Sequence, residues 1–276
     1  MNSSGRGVFD PSVPNIARVM DYLDGGKDNF AVDRVLADRL LEITPEVPIL
    51  IGELRKFVRK AIAYLAGQGI RQFVDIGCGL PTCGSVHEIL QELDVRGTVV
   101  YLDEDPVVVA HGQAILSTYG RSAGPDAPLT RVIRADPRDP GALLSRPELT
   151  ELIDFAEPTA FLVRTQLALL DDPEATALME SLIDRLAPGG HLLISHIVRD
   201  PAEARTDEMT RLFKTDEMFD GDRDRVRTRA QVAGLLKGLD LVSPGLVPLP
   251  AWRPVFGEPA VDPETFLGVG ALGRKP

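Results

Sequence analysis

Between residues 72 and 195, five short apolar runs rich in β-branched and aromatic residues alternate with stretches of helical period. The runs are Gln72–Ile76, Thr98–Asp103, 130–135, Thr159–Val163 and 191–195, several of them bounded by Gly, Pro or Asp as strands are. Between them, residues 83–93, 106–119, Pro140–Leu144 and 173–186 carry the helical pattern. Pro173 stands at a first-turn position, and Pro188-Gly189-Gly190 supplies a stop. Such alternation confines a chain to right-handed crossovers and a parallel sheet covered on both faces. Two later apolar runs, 239–249 (interrupted by Pro244-Gly245) and 265–272, read as a hairpin-like end. The expectation is an α/β, doubly wound, mostly parallel sheet of seven strands with one antiparallel.

A leading segment precedes the first run. Residues 14–23 and Ala31–Ile43 read as helices, and 49–65 places Leu50, Leu54, Phe57, Val58, Ala61, Ile62 and Leu65 on one helical face. Residues 1–70 are therefore expected to form an N-terminal helical cap segment, and 71–276 the α/β core, as one integrated domain. Asp24-Gly25-Gly26-Lys27-Asp28-Asn29-Phe30 breaks the first two helices apart. A glycine pair allows a tight turn or a close approach of backbone to a ligand, and both readings fit.

Composition excludes several classes. The 276 residues hold 30 Lys+Arg against 41 Asp+Glu, a net charge of −11. Sequence-independent nucleic-acid binding draws on Lys/Arg contacts to phosphate, and this field opposes a polyanion. No run approaches the roughly 18 apolar residues of a membrane-spanning helix. The polar start has no signal-peptide pattern, so a cytoplasmic setting is expected. Cys78 and Cys83 are too few for a disulfide framework, and the four histidines form no metal-binding spacing, so no metal is expected. Oligomeric state is not legible.

The sharpest motif is Phe73-Val74-Asp75-Ile76-Gly77-Cys78-Gly79-Leu80-Pro81-Thr82, a strand running into a glycine turn with a helix just beyond. Gly77 and Gly79 let backbone pass close to a ligand, and a helix start favours an anionic group. Position 82 is Thr where the dinucleotide fingerprint has its third glycine, and no Lys follows as in a phosphate-binding loop. Asp75 at the mouth of the turn would repel a pyrophosphate but suits an ammonium group. S-adenosylmethionine (SAM) carries both, its amino group for Asp75 and its carboxylate for the loop amides. Asp103 ends the second strand, with Glu104 beside it, where an acid can accept both ribose hydroxyls. Asp136, after the third strand, stands where it could accept from an adenine amino group, or simply turn the chain before Pro137.

These residues resemble a class I SAM-dependent methyltransferase. The stretch Pro14-Asn15-Ile16-Ala17-Arg18-Val19-Met20-Asp21-Tyr22-Leu23-Asp24-Gly25-Gly26-Lys27-Asp28-Asn29-Phe30 is similar to the leading signature of an S-adenosyl methyltransferase family long classed as a domain of unknown function. Matches at Asp75-Ile76-Gly77, Gly79-Leu80-Pro81-Thr82, His87-Glu88, Asp105-Pro106, His111, Pro244-Gly245-Leu246-Val247 and Trp252-Arg253-Pro254 extend the similarity over nearly the whole chain. The resemblance implies a Rossmann-like seven-stranded sheet and a SAM site at the carboxyl ends of its first strands. It also places Tyr22, Gly25, Gly26 and Lys27 over the methionine end of the cofactor. The chain departs from the pattern after the fourth strand, where Ala168 stands in place of a family His.

Methyl transfer needs alignment more than a covalent step, and a base only where the acceptor loses a proton early. Tyr22, Asp28, His87 and Gln166 are the candidates, Gln166 as an orienting amide and His87 more readily as a packing residue. His111 reads as structural, and His196, after the fifth strand, as a pocket liner or a backbone partner. The alternating charges at 222–229 read as a solvated segment, with Thr228 capping a helix over 229–239. A helix is also expected over 201–218. The leading expectation is a SAM-dependent methyltransferase acting on a small-molecule acceptor. A non-catalytic SAM-binding sensor rests on Ala168. An NAD-dependent oxidoreductase shares Asp103 but is opposed by Asp75 and Thr82.

Overall fold

In the computed structural model, residues 10–80, 84–122, 128–198, 226–255 and 266–276 are described. Strand β1 (Gln72–Ile76) pairs in parallel with β2 (Thr98–Asp103) and β4 (Thr159–Val163), β2 with β3 (Leu129–Arg134), and β4 with β5 (His191–Ile197). Strand β8 (Gly268–Arg274) runs antiparallel to β5 and also pairs with β6 (Asp240–Leu241) and β7 (Val247–Pro248). The order is β3-β2-β1-β4-β5-β8-β6, with β7 also on β8. The parallel sheet with one reversed strand is as expected, and among the described residues it has eight strands where seven were expected. The run 239–249 yields two short strands because Pro244 has no N–H for a ladder and Gly245 N–H turns back to Val242 O.

The period of two along each central strand sorts side chains onto two faces. Val74, Ile76, Val100, Leu102, Phe161, Val163, Leu192 and Ile194 form one core with α8 (Asp172–Arg185), α6 (Pro140–Leu144) and α7 (Pro147–Thr150). Phe73, Val99, Tyr101, Ala160, Leu162 and Leu193 form the other with α3 (Val47–Gly67) and α4 (Val86–Glu92). Asp75, Asp103 and Arg164 have the parity of this second face, at the carboxyl ends of their strands. Helix α3 thus belongs to the sheet's own core. Its Phe57 packs edge-on against buried Trp252, 5.2 Å between ring centres.

Helices α1 (Ile16–Leu23) and α2 (Ala31–Ile43) build a smaller core with the start of α3 through Val19, Leu23, Leu36, Ala37, Leu40, Val47 and Ile51. Asn15 caps α1 by accepting from Ala17 N and Arg18 N. Buried Asp33 gathers Arg18 Nε, Asn15 N and Phe30 N, binding the two helices at one point. Helix α5 (Pro106–Ser122) follows β2, and α9 (Arg229–Gly234), capped by Thr228, ends short of residue 239. The helix expected at 201–218 lies outside the described residues. No described helix is long and apolar enough to cross a membrane.

Candidate active site

The turn after β1 uses glycine where only glycine serves. Gly77 and Gly79 have φ of +64° and +69°, and a Cβ at Gly77 would collide with the Gln166 amide. Nothing lies within 4 Å of a Cβ at Gly79, which borders open space. Three of the turn's amides, however, are already engaged. Gly77 N and Cys78 N donate to Leu102 O at 2.8 and 3.2 Å, and Gly79 N to Asp103 Oδ2 at 2.9 Å. The start of α4 is closed likewise, since Glu88 Oε2 accepts from Gly84 N and Ser85 N. The chain's own acidic side chains and the Leu102 carbonyl hold these donors.

Asp75, at the mouth of the turn, is 1% exposed, and Arg164 sits on it. Arg164 Nη2 lies 2.7 Å from Asp75 Oδ2 and Nε 3.3 Å from Oδ1, and Nη2 also donates to Cys78 O at 3.2 Å. Burial pushes the Asp75 carboxyl up, against the pull of the guanidinium. The Arg164 side chain keeps 24% of its surface exposed. The place assigned to a ligand ammonium is held by a cation of the protein itself.

Asp103 is buried at the end of β2 and accepts from Gly79 N through Oδ2 and Asp105 N through Oδ1. Burial pushes it up to about 6, against those two amides, with the charges of Asp105 and Asp75 adding to the rise. Glu104 forms an ion pair with Arg138, whose guanidinium and backbone N–H also bind Asp136. Asp136 is exposed and performs the turn before Pro137. Glu104 and Asp136 thus stand together across Arg138 at the ends of β2 and β3.

The cap docks beside Asp103. Asn15 Nδ2 donates to Asp105 Oδ2, and Asp28 Oδ2 lies 3.4 Å from His111 Nε2 on α5. Asp21 ties the glycine turn by accepting from Asp28 N and Asn29 Nδ2, and its carboxylate fills the space a Cβ at Gly26 would need. Gly25 and Lys27 are exposed on the turn. Tyr22 points within the cap, its hydroxyl 3.4 Å from Asp38 Oδ1.

Of the four catalytic candidates, His87 is buried with Nδ1 2.7 Å from the Tyr101 hydroxyl, and burial lowers its pKa. It packs under the loop. Gln166 lies on the 3-10 turn Thr165–Leu169 and is 6% exposed, with Nε2 lacking a partner among the described residues. Tyr22 and Asp28 sit in the cap as above. His196 accepts from Arg227 N at 3.4 Å, the backbone role, and burial followed by the Arg227 charge lowers it to about 3. Ala168 lies partly buried on the same 3-10 turn.

Two residues escaped sequence reasoning. Arg164 carried one available signal, an isolated charge just past an apolar strand with the same parity as Asp75. Arg227 lies in the charged run read as solvated, yet it is 2% exposed. It donates to Leu167 O, Leu170 O and Asp172 Oδ1 at 2.6, 2.9 and 2.8 Å, bracing the turn that carries Gln166. Residues 222–225 lie outside the described residues.

The profile of the S-adenosyl methyltransferase family matches residues 3–276. No curated protein matches the sequence. Two solved structures are similar over almost their full lengths. A protein from Thermobifida fusca YX designated a methyltransferase is 35% identical, with 96% of each chain covered and a TM-score of 0.83. A DUF574 family protein from Streptomyces avermitilis MA-4680 is 31% identical, with 97% of this chain and 99% of that chain covered and a TM-score of 0.87. Magnesium protoporphyrin IX methyltransferase from Synechocystis PCC 6803, solved with S-adenosylhomocysteine (SAH), shares the fold at 14% identity and a TM-score of 0.54. With this match end to end, and with a carboxylate and an open glycine turn at the strand ends, the chain belongs to the S-adenosyl methyltransferase family and is a SAM-dependent methyltransferase.

Proposed function

We propose that the chain methylates a small-molecule acceptor beneath the α1–α2 cap, with SAM laid across the ends of β2, β1 and β4. In this reading Asp103, with Glu104 beside it, takes the ribose and Asp136 borders the adenine. The methionine end then crosses the glycine turn toward Arg164 and Gln166, with Tyr22, Gly25, Gly26 and Lys27 in the roof above. The observation that carries it is the docking of the cap on Asp105 and His111, immediately beside Asp103. That docking favours an enclosed ligand over a broad macromolecular surface, in keeping with the net charge of −11. The residues fit the cofactor: an open turn at Gly79, a buried carboxylate at Asp103 and an orphaned amide at Gln166.

SAM supplies a methyl group on an already activated sulfonium. The protein then has to align the acceptor and exclude water, and no base among the described residues is poised for more. His87 is occupied with Tyr101. The direct test is incubation of the purified protein with SAM and a panel of small acceptors, following SAH release. Binding of SAM with no turnover on any acceptor would support a sensor instead.

The raised pKa of Asp103 gives this reading a pH signature. Ribose hydroxyls donate to the ionised form, so SAM affinity is expected to fall about tenfold between pH 7 and pH 5, following protonation near 6. Asp103→Asn should weaken binding by roughly 10–100-fold at pH 7 and flatten that dependence. For the free protein the sign is opposite. The folded carboxyl holds its proton up to about 6 and the unfolded one only to 3.8, so this group's contribution to stability is present below pH 3.8 and lost as pH rises through 6. Calorimetric titration and melting curves across pH 4–8 check both signs.

The turn of the cap makes a further prediction. Gly26→Ala drives a methyl into the Asp21 carboxylate and should destabilise by about 1–3 kcal/mol. SAM affinity should fall with it, whereas Gly25→Ala, with open space at its Cβ, should be limited to the strain of its positive φ. Equal effects on SAM binding from both variants would remove the roof from the proposal.

A further inference from the structure

Taking SAM as the cofactor, we infer that Arg164 receives its methionyl carboxylate, with Gln166 as second donor and Asp75 as the residue that positions the guanidinium. The charge logic is the reverse of the sequence expectation, in which Asp75 takes the ammonium and the loop amides take the carboxylate.

The donors left over at the strand ends lead there. An anion at the glycine turn needs donors, and the described amides of Gly77, Cys78 and Gly79 already donate to Leu102 O and Asp103. Those of Gly84 and Ser85 are held by Glu88. At the carboxyl end of β4 stands Arg164, whose Nε and Nη2 are turned to Asp75 and Cys78 O while Nη1 makes no hydrogen bond among the described residues. Two residues on, the buried Gln166 Nε2 has no partner among them either, and its amide lies against Gly77. A buried amide donor without an acceptor costs about 1–3 kcal/mol, a cost that a ligand oxygen would remove.

The placement follows from strand order. Asp103 ends β2, the glycine turn ends β1 and Arg164 follows β4, three neighbouring parallel strands about 4.8 Å apart. A nucleoside held by its ribose at Asp103 extends its amino-acid end across the glycine turn to β4. Asp75 holds Arg164 through both carboxylate oxygens, so the guanidinium is oriented before the ligand arrives. Acting through Arg164, Asp75 is a positioning residue.

The test compares three ligands by calorimetry: SAM, decarboxylated SAM, which keeps the ammonium and lacks the carboxylate, and 5′-methylthioadenosine, which lacks both. The wild-type protein is expected to prefer SAM over decarboxylated SAM by about 10–100-fold. Arg164→Met should collapse that ratio to within about threefold while retaining 5′-methylthioadenosine, which reports the folded nucleoside end. Arg164→Lys keeps a charge on Asp75 without the two-pronged donor, so it guards against a variant that fails to fold. Its ratio should fall to an intermediate value, and Gln166→Leu should lower it less than Arg164→Met. A ratio unchanged in both Arg164 variants overturns the inference while leaving SAM as cofactor. Failure of the wild-type protein to bind any of the three overturns the SAM placement itself.

Discussion

Asp75→Ala is expected to be the most damaging single change at the site, lowering stability by about 3–5 kcal/mol. The dominant cost is the cation that the substitution strands without its counter-charge. Arg164 is three-quarters buried against Asp75, and its remaining partner among the described residues is the Cys78 carbonyl. A lone guanidinium there has neither full hydration nor a carboxylate to compensate its desolvation. In a chain of this size the destabilisation corresponds to a fall in Tm of roughly 6–20 °C. Replacing both partners, as Asp75→Leu with Arg164→Met, should recover much of it, because two apolar side chains leave no buried charge. Urea denaturation of the four proteins of this cycle gives the coupling, expected above about 2 kcal/mol. Additive effects would mean that the pair contributes nothing to the fold.

Arg227→Met is the second large effect, at about 2–3 kcal/mol. Arg227 satisfies the Leu170 carbonyl and joins Leu170 N–H on the Leu167 carbonyl from a position 2% exposed, and an orphaned buried acceptor costs about 1–3 kcal/mol. Its ion pair with Asp172 adds less, because that carboxylate is half exposed. The functional consequence is specific. The 3-10 turn Thr165–Leu169 carries Gln166, so loosening it should raise amide exchange there and weaken SAM binding, without displacing Asp103 on the far side of β1. Hydrogen exchange resolved by peptide checks this. Unchanged protection across 165–170 would show that the turn stands without Arg227.

The two arginines illustrate what a linear reading can and cannot see. Arg164 ends an apolar run and Arg227 lies among alternating charges, and local pattern assigns both to solvent-facing ends. Asp75 and Arg164 are 89 residues apart, and they meet because β1 pairs with β4 in a register that sets Asp75 opposite Leu162. Strands β1 and β4 are not consecutive, so no window on the sequence contains both. Arg227 reaches 60 residues back to the Leu167 carbonyl for the same kind of reason.

The sequence by itself determined the α/β alternation, the five parallel strands, the glycine turn, the acid at the end of β2 and membership of the family. These are legible because periods of 2 and 3.6, glycine turns and strand-end acids are local properties, expressed within a few residues. The tertiary structure alone decided which donors are already taken. The Gly77, Cys78 and Gly79 amides belong to Leu102 and Asp103, those of Gly84 and Ser85 belong to Glu88, and the carboxylate read as a receptor for an ammonium is paired with Arg164. Hydrogen-bonding capacity at a site is the remainder after the fold has satisfied its own polar groups, and that remainder depends on which chain segments strand order brings together.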